Sequence, residues 1–514
     1  MRKIRGLWKL LFGRTTILIL MLLVQVVALV GGFVLLDKYV FIFNYLLGFI
    51  SLIILLYILN ARQNSSFKIT WIILILFAPF FGVIFYLFTR VQPGTRFIGI
   101  RIEAALEEQA PYLAQDPYVL EALEEEAPEA AGLARYIHDS GKYPTYRNTQ
   151  IRYFSSGEEK FEEMVRQLRE AKEFIFLEYF IVDKGVMWDT VLEILEQKVK
   201  EGVEVRFMYD GTCSLSLLPP NYPRKMKALG IQCKVFAPIT PFLSTHQNNR
   251  DHRKVLVIDG HTAFTGGVNL ADEYINKVKR FGYWKDTGVR IEGEAVWNLT
   301  AMFLEMWNYI NRSTEDYSRF LPSVYREKEF TSDGFVQPYG DSPLDNENVG
   351  ENIYLNIINR AKNYVYIFTP YLIIDHEMLI CLSNAAKSGV DVRIVTPGVP
   401  DKKAVYLLTQ SYYEPLLKNG VKIFQYTPGF IHAKCFVCDD EIATVGSVNL
   451  DYRSLFLHFE CGVFMYRSKA VMQVKEDCLR TFEESEEMDV SFCRRRRLPV
   501  RMVQSLMRLF APLL

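Results

Sequence analysis

Residues 252–269 read HRKVLVIDGHTAFTGGVN and residues 432–449 read HAKCFVCDDEIATVGSVN; both obey one pattern, H-x-K-x(4)-D-x(6)-G-[GS]-x-N. In each, an apolar run follows the lysine, which predicts a buried strand. Residues two apart on a strand face the same side, so His252 and Lys254 address one point, and so do His432 and Lys434. Asp259-Gly260 is a tight-turn signal that sends the next strand back. The small pair Gly266-Gly267 lets backbone approach closely, with the amide of Asn269 beside it and Asn449 in the equivalent place. The chain has only seven histidines, and two of them stand in this frame.

The repetition extends outward from the motif. AKEFIFLEYF from Ala171 is echoed by AKNYVYIFTPY from Ala361, and GVEVRFMYDG from Gly202 by GVDVRIVTPG from Gly389. Strand-like and helix-like segments alternate through both copies, so the fold class is α/β and the economical reading is one domain occurring twice. Asp286-Thr-Gly-Val aligns with Glu460-Cys-Gly-Val. These acids are candidates to orient the imidazoles, since a carboxylate on one ring nitrogen fixes the tautomer and stabilises imidazolium. Two lysines, two asparagine amides and two imidazoles converging on one point suit a phosphate diester. Either motif alone would be compatible with ordinary strand residues; the two in register, with Gly, Asn and acid repeating, are not.

At these residues the chain resembles the phospholipase D superfamily, whose signature is this doubled His-Lys-Asp motif. The resemblance implies two repeats related by a pseudo-twofold axis that meet in one site. It also implies a histidine that attacks phosphorus, giving a phosphohistidine, and a second that protonates the leaving alcohol and then activates the acceptor. Carried onto this sequence, the candidate catalytic set is His252, Lys254, Asp259, His432, Lys434 and Asp439, with His252 as nucleophile and His432 as general acid and base. Asp259 and Asp439 are expected to be structural ties within it. Lys254, Lys434, Asn269 and Asn449 would hold the phosphoryl oxygens, and Asp286 and Glu460 would orient the histidines. No metal-ligand spacing such as H-E-x-x-H occurs, and covalent catalysis of this kind calls for neither metal nor cofactor. Cys435 and Cys438 form a C-x-x-C without a second pair. His138, His246, His261, His376 and His458 lack a comparable context and are expected to be structural. Glu178, Tyr179 and Tyr371 are read as strand packing, and Arg453 as a support for the second loop.

The remainder of the chain narrows the substrate. Half of the 514 residues are hydrophobic, and mean hydropathy is +0.06. The 59 basic and 59 acidic residues balance overall but not locally. Residues 1–90 hold nine Lys/Arg and one acid, 494–514 hold six arginines and no acid, and 91–493 carry a net charge of −14. An acidic middle is a poor surface for a polyanion, so nucleic acid is not the expected partner. The apolar stretches 15–36, 40–59 and 69–88 have no internal charge apart from their flanks, and each reaches the length of about 20 residues that spans a bilayer. Basic residues before the first place the N-terminus in the cytoplasm. Ala78-Pro79 and Gly82 interrupt the third stretch, which leaves it as a span or a re-entrant hairpin.

The expected organisation is therefore a membrane anchor (1–90), an acidic linker (91–134), a first repeat (135–330), a second repeat (331–490) and a basic amphipathic tail (491–514) suited to anionic lipid. WIILILFAPFFGVIFYLFTR followed by the doubled motif is similar to bacterial cardiolipin synthases over nearly the whole chain. That similarity implies a multi-pass plasma-membrane enzyme transferring a phosphatidyl group between two phosphatidylglycerols with release of glycerol. Those enzymes commonly carry two N-terminal hydrophobic segments, whereas this chain has three, so their topology does not transfer. A headgroup hydrolase would use the same residues, and a non-catalytic membrane scaffold is the reading from another class. The repeat can complete one site within a monomer, which leaves the oligomeric state open.

Overall fold

The computed structural model describes residues 27, 40–90, 93–213, 217–238, 248–311, 315–321, 330, 334–345 and 347–513. Contacts divide the chain into two compact units, Met1–Arg96 with Thr240–Gln247 and Leu506–Leu514, and Phe97–Ile239 with Asn248–Ser505.

The larger unit contains two mixed sheets with the same strand order. The first runs Thr149–Phe154, Gly288–Gly293, Thr262–Gly266, Lys254–Ile258, Phe174–Tyr179, Glu204–Asp210, Gln232–Phe236. The second runs Phe335–Asp341, His458–Tyr466, Ile442–Gly446, Cys435–Cys438, Tyr364–Phe368, Asp391–Pro397, Lys422–Tyr426, with Ser485–Met488 added at its edge. The motif strands Lys254–Ile258 and Cys435–Cys438 are central in their sheets and wholly buried, as their apolar runs require.

Both motif turns are built alike. Asp259 and Asp439 take left-handed backbone (φ 49° and 50°), followed by Gly260 (φ 67°) and Asp440 (φ 62°). The Asp259 carboxylate accepts the backbone N–H groups of Lys172, Glu173 and Phe174 at 2.8–2.9 Å. Asp439 does the same for Lys362, Asn363 and Tyr364 at 2.6–2.9 Å. These aspartates tie the motif hairpin to the start of the neighbouring strand. They stand five residues beyond each lysine, about 17 Å along an extended chain, and act there as structural ties.

The repeats are laced together. Helix Val296–Asn311, which ends the first repeat, packs on strand Phe335–Asp341 of the second, and helix Lys469–Glu483 packs on strand Thr149–Phe154 of the first. Asn298 Nδ2 donates to Pro338 O at 2.8 Å, and Tyr153 Oη donates to Asp477 Oδ2 at 2.8 Å.

The stretch 91–134, expected as an acidic linker, supplies helices Pro93–Gln109, Pro117–Glu126 and the start of Pro128–Gly141. The last buries Ala130, Ala131, Leu133, Ala134 and Ile137 at helical spacing, and Gln109 Nε2 donates to Ala301 O. The expected N-terminal transmembrane helices are not supported. Among the described residues no helix is long and apolar enough to cross a membrane. The stretch 15–36 lies outside the described residues except for Val27. Helix Val40–Asn60 has 21 residues, with side chains described from Asn44 onward. The third stretch breaks at Ala78 into helices Ser65–Phe77 and Pro79–Arg90, which fold back on each other. Trp71 meets Phe85 and Tyr86 at ring-centroid distances of 5.4 and 5.3 Å, whereas residues 15 apart in a straight helix are separated by about 22 Å. Gly82 permits the turn, because a Cβ there would lie 2.7 Å from Ile75 Cα.

Candidate active site

Two short crossings bring the half-sites together. Arg250-Asp251 pairs in parallel with His458-Phe459, after which the His252 amide donates to Phe459 O at 2.9 Å. In the other direction Gly429–Ile431 pairs with Tyr283–Lys285, and the His432 amide donates to Lys285 O at 2.7 Å. Each histidine is thereby delivered beside the acid of the opposite repeat. His252 Nδ1 lies 2.9 and 3.0 Å from the two oxygens of Glu460, and His432 Nδ1 lies 2.6 Å from Asp286 Oδ2. The sequence alignment identifies the two acids as equivalent; their crosswise pairing depends on long-range strand register and has no local signal.

The site is dry. Both histidines are 7% exposed, and Lys254, Lys434, Asp286 and Glu460 are buried. Burial pushes His252 down to about 3 and His432 to about 4, against the pull of their carboxylates. Burial works against ionised Glu460 and Asp286 as well, yet the adjoining histidines and lysines outweigh it and hold both acids below the usual carboxylate range. At neutral pH each pair is thus a carboxylate accepting Nδ1–H from a neutral imidazole, which leaves Nε2 with its lone pair for chemistry. Burial lowers Lys254 to about 8 and Lys434 to about 7. Each lysine ammonium folds back to the carbonyl oxygen of the histidine two residues before it. A phosphodiester anion entering here would favour the charged form of both lysines.

The asparagines are largely committed within the protein. Asn269 Oδ1 accepts from the Ile181 amide at 3.0 Å, and its Nδ2 donates to Tyr274 Oη at 2.8 Å. Asn449 Nδ2 donates to Ser454 Oγ at 3.0 Å. In both repeats the partner hydroxyl belongs to the residue five positions later. One amide hydrogen of each asparagine is not used in these bonds. Glu178 lies beneath the site, 2.7 Å from Arg253 Nε, and Tyr371 Oη donates to Asp401 at 2.6 Å.

The half-sites differ around the histidines. His432 is surrounded by Tyr274, Trp284 and Phe430, at 5.3–5.9 Å between ring centroids. His252 meets Phe180 at 4.8 Å and His458 at 5.5 Å. His458 was not expected near the site; the available signal was its place two residues before Glu460 on one strand, on the same face. The [GS] position also diverges. A Cβ on Gly267 would come within 2.0 Å of Asp286 Oδ1, whereas Ser447 donates its hydroxyl to Glu460.

Comparison with known proteins identifies the family and the fold. The family described as "Cardiolipin synthase, PLD-like domain" matches residues 164–307 and 354–482, and "Phospholipase_D-nuclease N-terminal" matches 49–90. The cardiolipin synthase of Geobacillus sp. (strain WCH70) is 35% identical over 475 residues, covering 90% of this chain and 92% of that protein. The chain belongs to the cardiolipin synthase family. An uncharacterized protein of Streptococcus mutans serotype c is 48% identical, covering 89% of this chain and 99% of its own length. Among solved structures, the phosphatidylserine synthase of Haemophilus influenzae Rd KW20 superposes with a TM-score of 0.57 at 14% identity, over 74% of this chain and all of that one. That likeness concerns the fold.

Proposed function

We propose that this protein is a phosphatidyltransferase that makes cardiolipin from two phosphatidylglycerols and releases glycerol. The observation that carries the reading is the pair of crosswise His–carboxylate couples, His252–Glu460 and His432–Asp286, closing one buried site between two lysines. His252 Nε2 attacks the phosphorus, forming an N–P bond as the P–O bond to glycerol breaks. His432, protonated once the anionic diester is bound, gives its proton to the departing oxygen. The glycerol hydroxyl of the second lipid then returns a proton to His432 and attacks phosphorus, breaking the N–P bond. Asp286 and Glu460 hold the rings and offset each imidazolium as it forms. The lysines, and the spare amide hydrogens of Asn269 and Asn449, take the phosphoryl oxygens. Burial of the site limits access of water as the acceptor, and so favours transfer over hydrolysis.

The enzyme acts at the bacterial plasma membrane, which the hydrophobic stretches of residues 1–90 engage. In the C-terminal helix Leu498–Phe510, Leu498, Met502, Val503 and Leu506 form an exposed apolar stripe next to Arg494–Arg497, Arg501 and Arg508. Charge and exposed apolar surface together suit an anionic bilayer.

The test is an exchange reaction. Detergent-solubilised protein is given phosphatidylglycerol and isotopically labelled free glycerol. A phosphatidyl-enzyme intermediate returns label into phosphatidylglycerol, and His252→Ala abolishes the exchange. Cardiolipin formation without any exchange would overturn the two-step route.

A further inference from the structure

His458 has no counterpart in the first repeat: the residue two places before Asp286 is Trp284, so the fold does not call for an imidazole there. It is nine-tenths buried, and its Nδ1 has no hydrogen-bond partner among the described residues. That nitrogen lies 3.8 Å from Glu460 Oε1, the oxygen to which His252 Nδ1 comes within 2.9 Å. One ligand atom from each of His252, His458 and Glu460 falls within 4.8 Å of the other two. Tetrahedral zinc, with bonds of about 2.0–2.1 Å, sets its ligand atoms about 3.3 Å apart, a value between the two measured edges. The third edge, between the two imidazoles, is within 4.8 Å, and His458 Nε2 faces Arg453 Nε at a long 3.4 Å.

We propose that His252, His458 and Glu460 form an inhibitory site for a divalent transition cation of the zinc class. Two imidazoles and one carboxylate with an open fourth position are a ligand set for zinc and cobalt. The ion takes Nδ1 of His252, and the proton which that nitrogen shared with Glu460 passes to Nε2. The lone pair that attacks phosphorus is thereby occupied by a proton, so the ring is no longer a nucleophile. The inhibition rests on the proposed role of His252; the binding rests on geometry alone. Arg453 opposes binding, because its guanidinium donates toward the nitrogen that must carry the proton of a metal-bound His458.

Full-length protein in detergent, stripped with a chelator that is then removed, is titrated with Co2+ and followed by visible absorption. Zn2+ competition gives the affinity for zinc, and thermal unfolding confirms that each variant is folded. The parent binds one more ion per chain than His458→Asn, in which affinity falls by about 100-fold, the upper range seen when a metal site loses a partner. Arg453→Ala binds more tightly than the parent. Zn2+ inhibits transfer reversibly, and His458→Asn loses that sensitivity relative to its own metal-free rate. Equal Co2+ binding by parent and folded His458→Asn, or weaker binding by Arg453→Ala, would overturn the proposal. Co2+ binding in a preparation that makes no cardiolipin would sustain the site and count only against the proposed reaction.

Discussion

Gly267 and Ser447 occupy one motif position, but the structure predicts that they cannot be exchanged. In Gly267→Ala the new Cβ would stand 2.0 Å from Asp286 Oδ1 and 2.8 Å from its Cγ. Ordinary carbon–oxygen contact begins near 3.3 Å, so the carboxylate must retreat by about 1.3 Å. The 2.6 Å bond from His432 Nδ1 to Asp286 would stretch to about 3.9 Å, beyond hydrogen-bond range. A displacement of 1 Å costs about 10²-fold in rate, and loss of the orienting carboxylate's function about 10⁴-fold. Turnover should therefore fall by about 10² to 10⁴, or roughly 3–5 kcal/mol of transition-state stabilisation. Ser447→Gly removes the hydroxyl that donates to Glu460 and accepts the Cys461 amide, and leaves His252 on the carboxylate. Its cost should be about 1 kcal/mol, within tenfold in rate. The assay is the initial rate of cardiolipin formation at saturating phosphatidylglycerol, read by mass spectrometry, with thermal unfolding to confirm folding. Gly267→Ala turning over within fivefold of the parent would refute the argument.

Further predictions follow the same geometry. With buried Lys434 lowered to about 7 and Lys254 to about 8, kcat/KM should fall as pH rises through 7–8, as the site loses positive charge; a flat profile to pH 9 would contradict this. His252 and His432 refuse protons that the unfolded chain takes up below about 6.5, so their contribution to stability is complete above that pH and declines as pH falls toward 4 and 3. His432→Asn should flatten this acid dependence of the melting temperature. Asp259→Ala, which abandons three backbone amides, should lose about 3 kcal/mol of stability while each folded molecule keeps its activity within tenfold; inactivity without loss of stability would restore Asp259 to the chemistry. Replacing Arg494–Arg497 by glutamine removes about 1 kcal/mol of anionic-surface attraction per residue, and should raise the apparent KM for micellar phosphatidylglycerol at least tenfold with kcat unchanged.

Much of the site is legible in the chain because it is locally encoded. The i, i+2 spacing of His and Lys and the turn at Asp259-Gly260 act over short distances, and the repeat is legible because the same local pattern recurs near 180 residues later. What depends on long-range register is not legible. The pairing of Arg250-Asp251 with His458-Phe459 decides that Glu460 serves His252, and no local pattern contains it. His458 was set aside because it lacked a motif of its own, although its spacing from Glu460 shares a strand face with it. The alanines of helix Pro128–Gly141 are small enough to pack closely, yet the surrounding glutamates make the segment read as solvated. The third apolar stretch shows its break through Ala78-Pro79 and Gly82; the fold-back itself comes from packing of Trp71 against Phe85 and Tyr86.

The most direct measurement gives the purified protein phosphatidylglycerol as its only lipid, and follows cardiolipin, glycerol and phosphatidic acid by mass spectrometry beside His252→Ala and His432→Ala. The account predicts cardiolipin and glycerol rising in equal amounts, little phosphatidic acid, and no product from either variant. Phosphatidic acid as the main product, or full activity in either variant, would contradict it.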